Sequence, residues 1–186
     1  VLPFTLANFH NAKYVYVVRD PRDMALCWKE NTVYGGVQAA TKVWLKDQQE
    51  NLKVYGYLKD LNRVLMIKFE DLISNTETTV NKTCDFLNIA YDEKMLDFHN
   101  KDVVKANAEM AITGGWDDLA KPIIKDNFNN YKTRLSESEI KYIENLCNDE
   151  MEYFGYQKDF PYEADLDSLE KKLPDESTLV DKVALK

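Results

Sequence analysis

Two short apolar runs decide what this chain can fold into. Residues 13–18 (KYVYVV) and 63–69 (RVLMIKF) are β-branched, aromatic and almost continuously apolar, as strands buried on both faces of a parallel sheet are. The stretch between them carries helical periodicity, and parallel neighbours need such a crossover. The expected unit is βαβ, within an α/β fold whose strands are parallel and whose helices cover both faces.

The first run ends abruptly in Arg19-Asp20-Pro21-Arg22-Asp23. Pro21 suits the first position of a helix, Asp20 its cap and Asp23 its first turn, so a helix is expected from about 21 to 32. Tyr34-Gly35-Gly36 interrupts it, and residues 37–54 resume the pattern through Val37, Ala40, Val43, Trp44 and Leu52. Trp28 and Trp44 read as core residues on these helix faces. Glu70-Asp71 follows the second strand, and adjacent positions at a strand end point apart, which favours capping and ion pairing over acid–base chemistry.

A helix is expected over 75–87, closed by Asn88-Ile89, and a shorter one over 92–99. Residues 100–130 have weak periodicity, with Thr113-Gly114-Gly115-Trp116 as a loop suited to closing over a ligand or to simple connection. Ser136 precedes Glu139 by three residues, the spacing of a capping box. Ile140, Ile143, Cys147, Met151 and Phe154 then mark the apolar face of one long final helix, which Gly155 ends.

The domain organisation expected is one domain over 1–156 and an acidic C-terminal arm over 157–186, where eight acidic and five basic residues show no sustained period. That arm reads as extended or partly helical and solvated. With a net charge of −8 over 186 residues, the chain lacks the excess of Lys and Arg that a nucleic-acid backbone demands. No run approaches the roughly 18 apolar residues of a membrane helix, and no signal peptide opens the sequence. Cys27, Cys84 and Cys147 form no CxxC pair, so they read as reduced thiols of a cytoplasmic protein, without a disulfide framework or metal site. Cys27 taken alone reads as a small buried residue.

In an open α/β sheet, ligands gather at the carboxyl ends of strands, where helix N-termini expose unpaired N–H groups. Two arginines beside a helix start at such a place suit an anion, and a guanidinium matches a phosphate or sulfate ester. Here the sequence resembles a known family. Val17-Val18-Arg19-Asp20-Pro21-Arg22-Asp23-Met24-Ala25-Leu26-Cys27 is similar to the 3′-phosphate-binding strand-turn-helix of the sulfotransferases, which use 3′-phosphoadenosine 5′-phosphosulfate (PAPS). Lys68-Phe69-Glu70-Asp71-Leu72 resembles their later Y-E-D-[LM] strand end, and Cys84-Asp85-Phe86-Leu87-Asn88-Ile89 their F-L-G-[IL] helix end. Residues 131–156 resemble the closing helix of bacterial-type members, and together the similarities span about 13–156.

The resemblance implies a three-layer α/β/α fold of the P-loop nucleotide-binding type, here without its first strand and loop. It implies that Arg19 holds the 3′-phosphate and that Cys27 stands where the family has a phosphate-binding serine. Phe69 stands at the position of a tyrosine beside the adenine, and Gly114, Gly115 and Trp116 at that of the C-terminal nucleotide loop, without its Arg-Lys pair. The implied reaction passes a sulfonate from PAPS to a hydroxyl or amine acceptor and leaves adenosine 3′,5′-bisphosphate, with no metal. Small molecules, lipids, carbohydrates and peptides are all admissible acceptors.

The family's 5′-phosphosulfate loop and catalytic base precede the strand that ends at Arg19, and neither motif occurs in these residues. The expectation is therefore a C-terminal portion of the enzyme, with its base encoded before Val1. His10 lies too close to Arg19 for the family's catalytic histidine, and His99 lies further from that pattern. A non-catalytic nucleotide-binding module and another P-loop-type transferase, such as a small-molecule kinase, stay open as alternatives.

Overall fold

The computed structural model of the chain describes residues 9–30, 36–110 and 120–174. It is a mixed α/β structure with a small parallel sheet and many helices, in two compact units. The first unit takes residues 1–18 and 52–126, the second 19–51 and 127–186.

The expected βαβ unit is present. Strand β1 (Tyr14–Val18) pairs in parallel with β2 (Val64–Lys68), in a register that sets Tyr14 opposite Val64 and Val18 opposite Lys68. The crossover consists of helices α1 (Pro21–Glu30) and α2 (Gly36–Asp60), and the second runs six residues beyond its expected end. Burial of β1 on both faces is not met: Val18 is 1% exposed, but Val15 is 40% and Val17 48% exposed. Side chains alternate along a strand. Tyr16 lies on the face where its ring meets Tyr55 at 6.1 Å, whereas Val15 and Val17 point to the other face.

After β2 come α3 (Phe69–Ser74) and α4 (Thr76–Leu87), both packed near that strand. Asn88 ends α4 in the left-handed conformation at φ 60°, and Ile89 N–H reaches back to the Cys84 carbonyl at 3.0 Å. Asparagine accepts this conformation better than other side chains, which explains how it serves where a glycine is usual. The short helix expected over 92–99 is two 3₁₀ turns, Glu93–Met95 and Phe98–Asn100. Helix α5 (Asp102–Met110) follows in a region whose periodicity had shown none.

The second unit holds a cluster of buried apolar residues. Ala25 and Leu26 of α1 and Val37 and Ala40 of α2 meet Tyr131, Leu135, Ile140, Tyr142 and Ile143, with Trp28 packed against them. Trp44 is buried, as a core reading requires. The later residues belong to α6 (Tyr131–Arg134) and α7 (Glu137–Leu146), which α8 (Asn148–Phe154) continues. The single final helix expected is thus divided at Cys147, whose φ −99° and ψ 19° leave the helical range. Gly155 closes α8 at φ 71°. Beyond Tyr156 the acidic segment forms α9 (Leu166–Lys171), and Leu169 sits in the same cluster at 1% exposure. That part of the segment is not a solvated arm.

The capping box at Ser136 is complete: Glu139 N–H donates to Ser136 Oγ at 3.4 Å, and Ser136 N–H to Glu139 Oε2 at 2.7 Å. Burial pushes the Glu139 carboxyl up, yet Lys29, 2.6 Å away, and Ser136 outweigh it and hold the group below its ordinary value. A depressed folded value means stability present above the ordinary value of 4.5 and lost as pH falls through the folded one. Ser136→Ala is expected to cost about 1 kcal/mol in urea unfolding. Glu139→Gln is expected to make stability less pH-dependent below about pH 4.5; an unchanged acid limb would show that this carboxylate is not the group responsible.

Candidate functional site

The site is built where β1 gives way to α1. Val18 is the last strand residue, Arg19 follows it, and Asp20 caps the helix that Pro21 begins. Asp20 Oδ1 accepts the Arg22 N–H at 2.9 Å, and the Asp20 carbonyl accepts the Met24 N–H at 3.0 Å. Proline has no N–H, so the helix start offers an anion fewer donors than the sequence implied.

The two arginines have parted. Arg22 is turned inward at 2% exposure. Its Nε and Nη2 grip both oxygens of Asp20 at 3.0 and 2.7 Å, its Nη1 donates to Glu144 Oε1 at 2.5 Å, and Asp159 lies 3.6 Å from Nη1. The Tyr131 ring lies against its guanidinium, 4.2 Å from centroid to carbon. Burial lowers the Arg22 pKa, but Asp20, Tyr131 and Glu144 together raise it above the ordinary value, so the charge is permanent. Glu144, 1% exposed, also accepts the N–H groups of Asp159 and Phe160 at 2.8 and 3.0 Å. Arg22 is a structural cation, which leaves Arg19 as the phosphate candidate of this motif.

Arg19 is half-buried. Its Nη2 donates to the Asn127 carbonyl at 3.2 Å, and its own carbonyl accepts the Trp44 indole N–H at 3.1 Å. Cys27 is exposed, which corrects its reading as a buried apolar residue: α1 turns Ala25 and Leu26 into the cluster and leaves position 27 outside. Arg19 precedes the helix, and Asp23 and Cys27 follow within it, one buried and the other exposed. Asp23 is 2% exposed, and its carboxylate accepts the N–H groups of Asn129 and Tyr131 at 2.6 and 3.1 Å.

Phe69 lies in the first unit, half-buried, as the first residue of α3 directly after β2. Glu70 and Asp71 stand in the first turn of that helix, where acidic residues are favoured. Gly114, Gly115 and Trp116 lie outside the described residues. His10 is exposed, whereas half-buried His99 lines a cavity of about 400 Å³ in the first unit with Ser74, Thr76, Glu77, Leu96 and Lys125. That cavity includes none of the residues assigned to the nucleotide. Among the described residues, no group of three His, Cys, Asp or Glu is arranged to hold a metal ion, and no helix is long and apolar enough to cross a membrane.

Glu144, Asp159 and Asn127 were missed in the sequence. A signal existed for Glu144, since four residues after Ile140 and three before Cys147 it falls on the apolar face of its helix, where a charge needs a buried partner. Asn127 acts through a backbone carbonyl, which side-chain identity does not encode.

The model of the Sulfotransferase family matches residues 1–93, half of the 186-residue chain, and the chain belongs to the sulfotransferase family. The matched span contains Arg19, Cys27 and Phe69 and ends before Gly114. No solved structure matches the chain.

Arg22→Met is expected to destabilise the protein by about 3–5 kcal/mol, because Asp20 and Glu144 are left buried without a counter-charge. Glu144→Gln keeps the oxygen acceptor and is expected to cost less, about 1–3 kcal/mol. Urea unfolding of both variants checks this order, and a loss under about 1 kcal/mol for Arg22→Met would mean that the carboxylates find other partners.

Proposed function

We propose that the chain carries the 3′-phosphate-binding part of a PAPS-dependent sulfotransferase. The observation that carries this reading is the parting of the two arginines within the family-matched span. Arg22 is consumed by buried carboxylates, while Arg19 donates Nη2 to a backbone oxygen, and Cys27, eight residues on in the following helix, is exposed. A guanidinium pairs with the doubly charged 3′-phosphate through parallel N–H donors. Cys27 stands one helical turn past Asp23, and its thiol donates more weakly than the serine of the family pattern. The Phe69 ring offers an apolar face for adenine to stack upon, and Gly114, Gly115 and Trp116 complete the nucleotide set by resemblance.

In this reading PAPS supplies the sulfonate, which passes to a hydroxyl or amine oxygen or nitrogen of the acceptor as the bond to the 5′-phosphate breaks. The acceptor's proton goes to a base, and adenosine 3′,5′-bisphosphate leaves. The residues described hold the nucleotide rather than the reacting sulfur, and the acceptor is a small molecule, lipid, carbohydrate or peptide. The parallel pair is read as part of a three-layer α/β/α sheet of P-loop nucleotide-binding type, residues 1–156 as the sulfotransferase-like domain, 157–186 as its C-terminal arm, and the cytoplasm as its location.

Calorimetric titration with adenosine 3′,5′-bisphosphate and with AMP tests the site, because the ligands differ by the 3′-phosphate alone. The bisphosphate is expected to bind more tightly, and Arg19→Ala to erase the difference; equal affinities in the unaltered protein would remove the reading. Cys27→Ser is expected to tighten bisphosphate binding by about twofold to tenfold, the span of one improved hydrogen bond.

A further inference from the structure

Asp23 is almost fully buried, and it bonds the segment that meets Arg19. Its two carboxylate oxygens take the Asn129 and Tyr131 N–H groups at 2.6 and 3.1 Å. Between them the chain makes a tight turn, with Asn129 at φ 60°. The same segment supplies the Asn127 carbonyl that accepts Arg19 Nη2 at 3.2 Å, and Asn130 Nδ2 bonds Asn127 Oδ1, also at 3.2 Å. Arg19 is thus steered by a backbone oxygen from residues more than a hundred positions away. The Asp23 carboxylate, four residues after Arg19, bonds the turn two residues beyond that carbonyl.

We propose that Asp23 is a positioning residue of the phosphate site: by clamping the turn at 127–131 it sets, through the Asn127 carbonyl, where the Arg19 guanidinium points. The inference rests on the reading that Arg19 holds the 3′-phosphate. Electrostatics supports the same geometry. Burial raises the Asp23 pKa, whereas the two backbone donors and the Arg19 charge act to lower it, so the two side chains interact as well as share a scaffold. Asp20, whose charge also bears on Asp23, is held by Arg22 on the other side of the helix start. A carboxylate with both oxygens on backbone N–H groups has a defined orientation, and a residue steered by such a turn inherits it.

The test compares affinity for adenosine 3′,5′-bisphosphate with affinity for AMP in Asp23→Asn and Asn130→Ala. The carboxamide of Asp23→Asn keeps one acceptor oxygen and presents NH₂ to the other N–H, so the turn shifts. Preference for the bisphosphate is expected to fall by about threefold to tenfold, with AMP binding unchanged. A merely structural Asp23 would lower the urea midpoint and leave the ratio of the two affinities intact, and that outcome overturns the proposal. Asn130→Ala removes one side-chain bond to Asn127 and should lower the ratio by about twofold to threefold; should Asp23→Asn not fold, this variant decides, and an unaltered ratio counts against the proposal. Arg19→Ala separates the two levels. If it erases the ratio while Asp23→Asn does not, the positioning role falls and the phosphate site stands; if Arg19→Ala leaves the ratio untouched, the phosphate reading falls and takes this inference with it.

Discussion

The second unit is organised around one buried cation. Arg22 sits among Asp20, Glu144 and Asp159 with the Tyr131 ring against it, and nothing in an apolar cluster tolerates such a charge unless its donors are matched. The match reaches outward: Glu144 takes two further N–H groups from Asp159 and Phe160, which fixes the chain after α8, and Tyr131 donates its hydroxyl to Asp159 at 2.9 Å. Burial above all, with the bond to Asp159, pushes that phenol well above its usual range, so it stays a donor. Helices α1, α6 and α7 meet at this network, and the apolar cluster builds beside it.

Arg22 is committed to that work, and its neighbour three residues earlier makes different contacts. Arg19 is held by backbone at both ends, its carbonyl by Trp44 and its guanidinium by Asn127. Its charge also bears on the buried Asp23 carboxylate four residues on, so the two side chains share one local field. Two arginines of one five-residue stretch thus take different partners, Arg22 the buried carboxylates and Arg19 backbone groups.

Much of the fold was legible because its signals are local. Proline fixes φ at the start of α1, the period of apolar residues separates strands from helices, and Ser136 with Glu139 marks a helix start by hydrogen bonds within four residues. Errors came where packing overrode periodicity. The apolar face over 140–154 is continuous across Cys147, so the break there had no pattern to reveal it. Val15 and Val17 have the composition of buried residues, but composition does not say which face of a strand is covered. Leu169 lies in a charged stretch whose average hid a single core side chain.

Order along the chain determined that a guanidinium would follow the first strand, that a helix would start at once, and that a second strand would lie parallel to the first. All of this depends on interactions a few residues long. Arg22 finds one partner locally, since Asp20 two residues earlier takes its Nε and Nη2, but its burial against Glu144 was decided only by tertiary structure. Arg22 meets Glu144 from 122 residues away, and Arg19 meets Asn127 from 108. A charge settles where its partners are, and partners that distant exist for it only after the chain has folded.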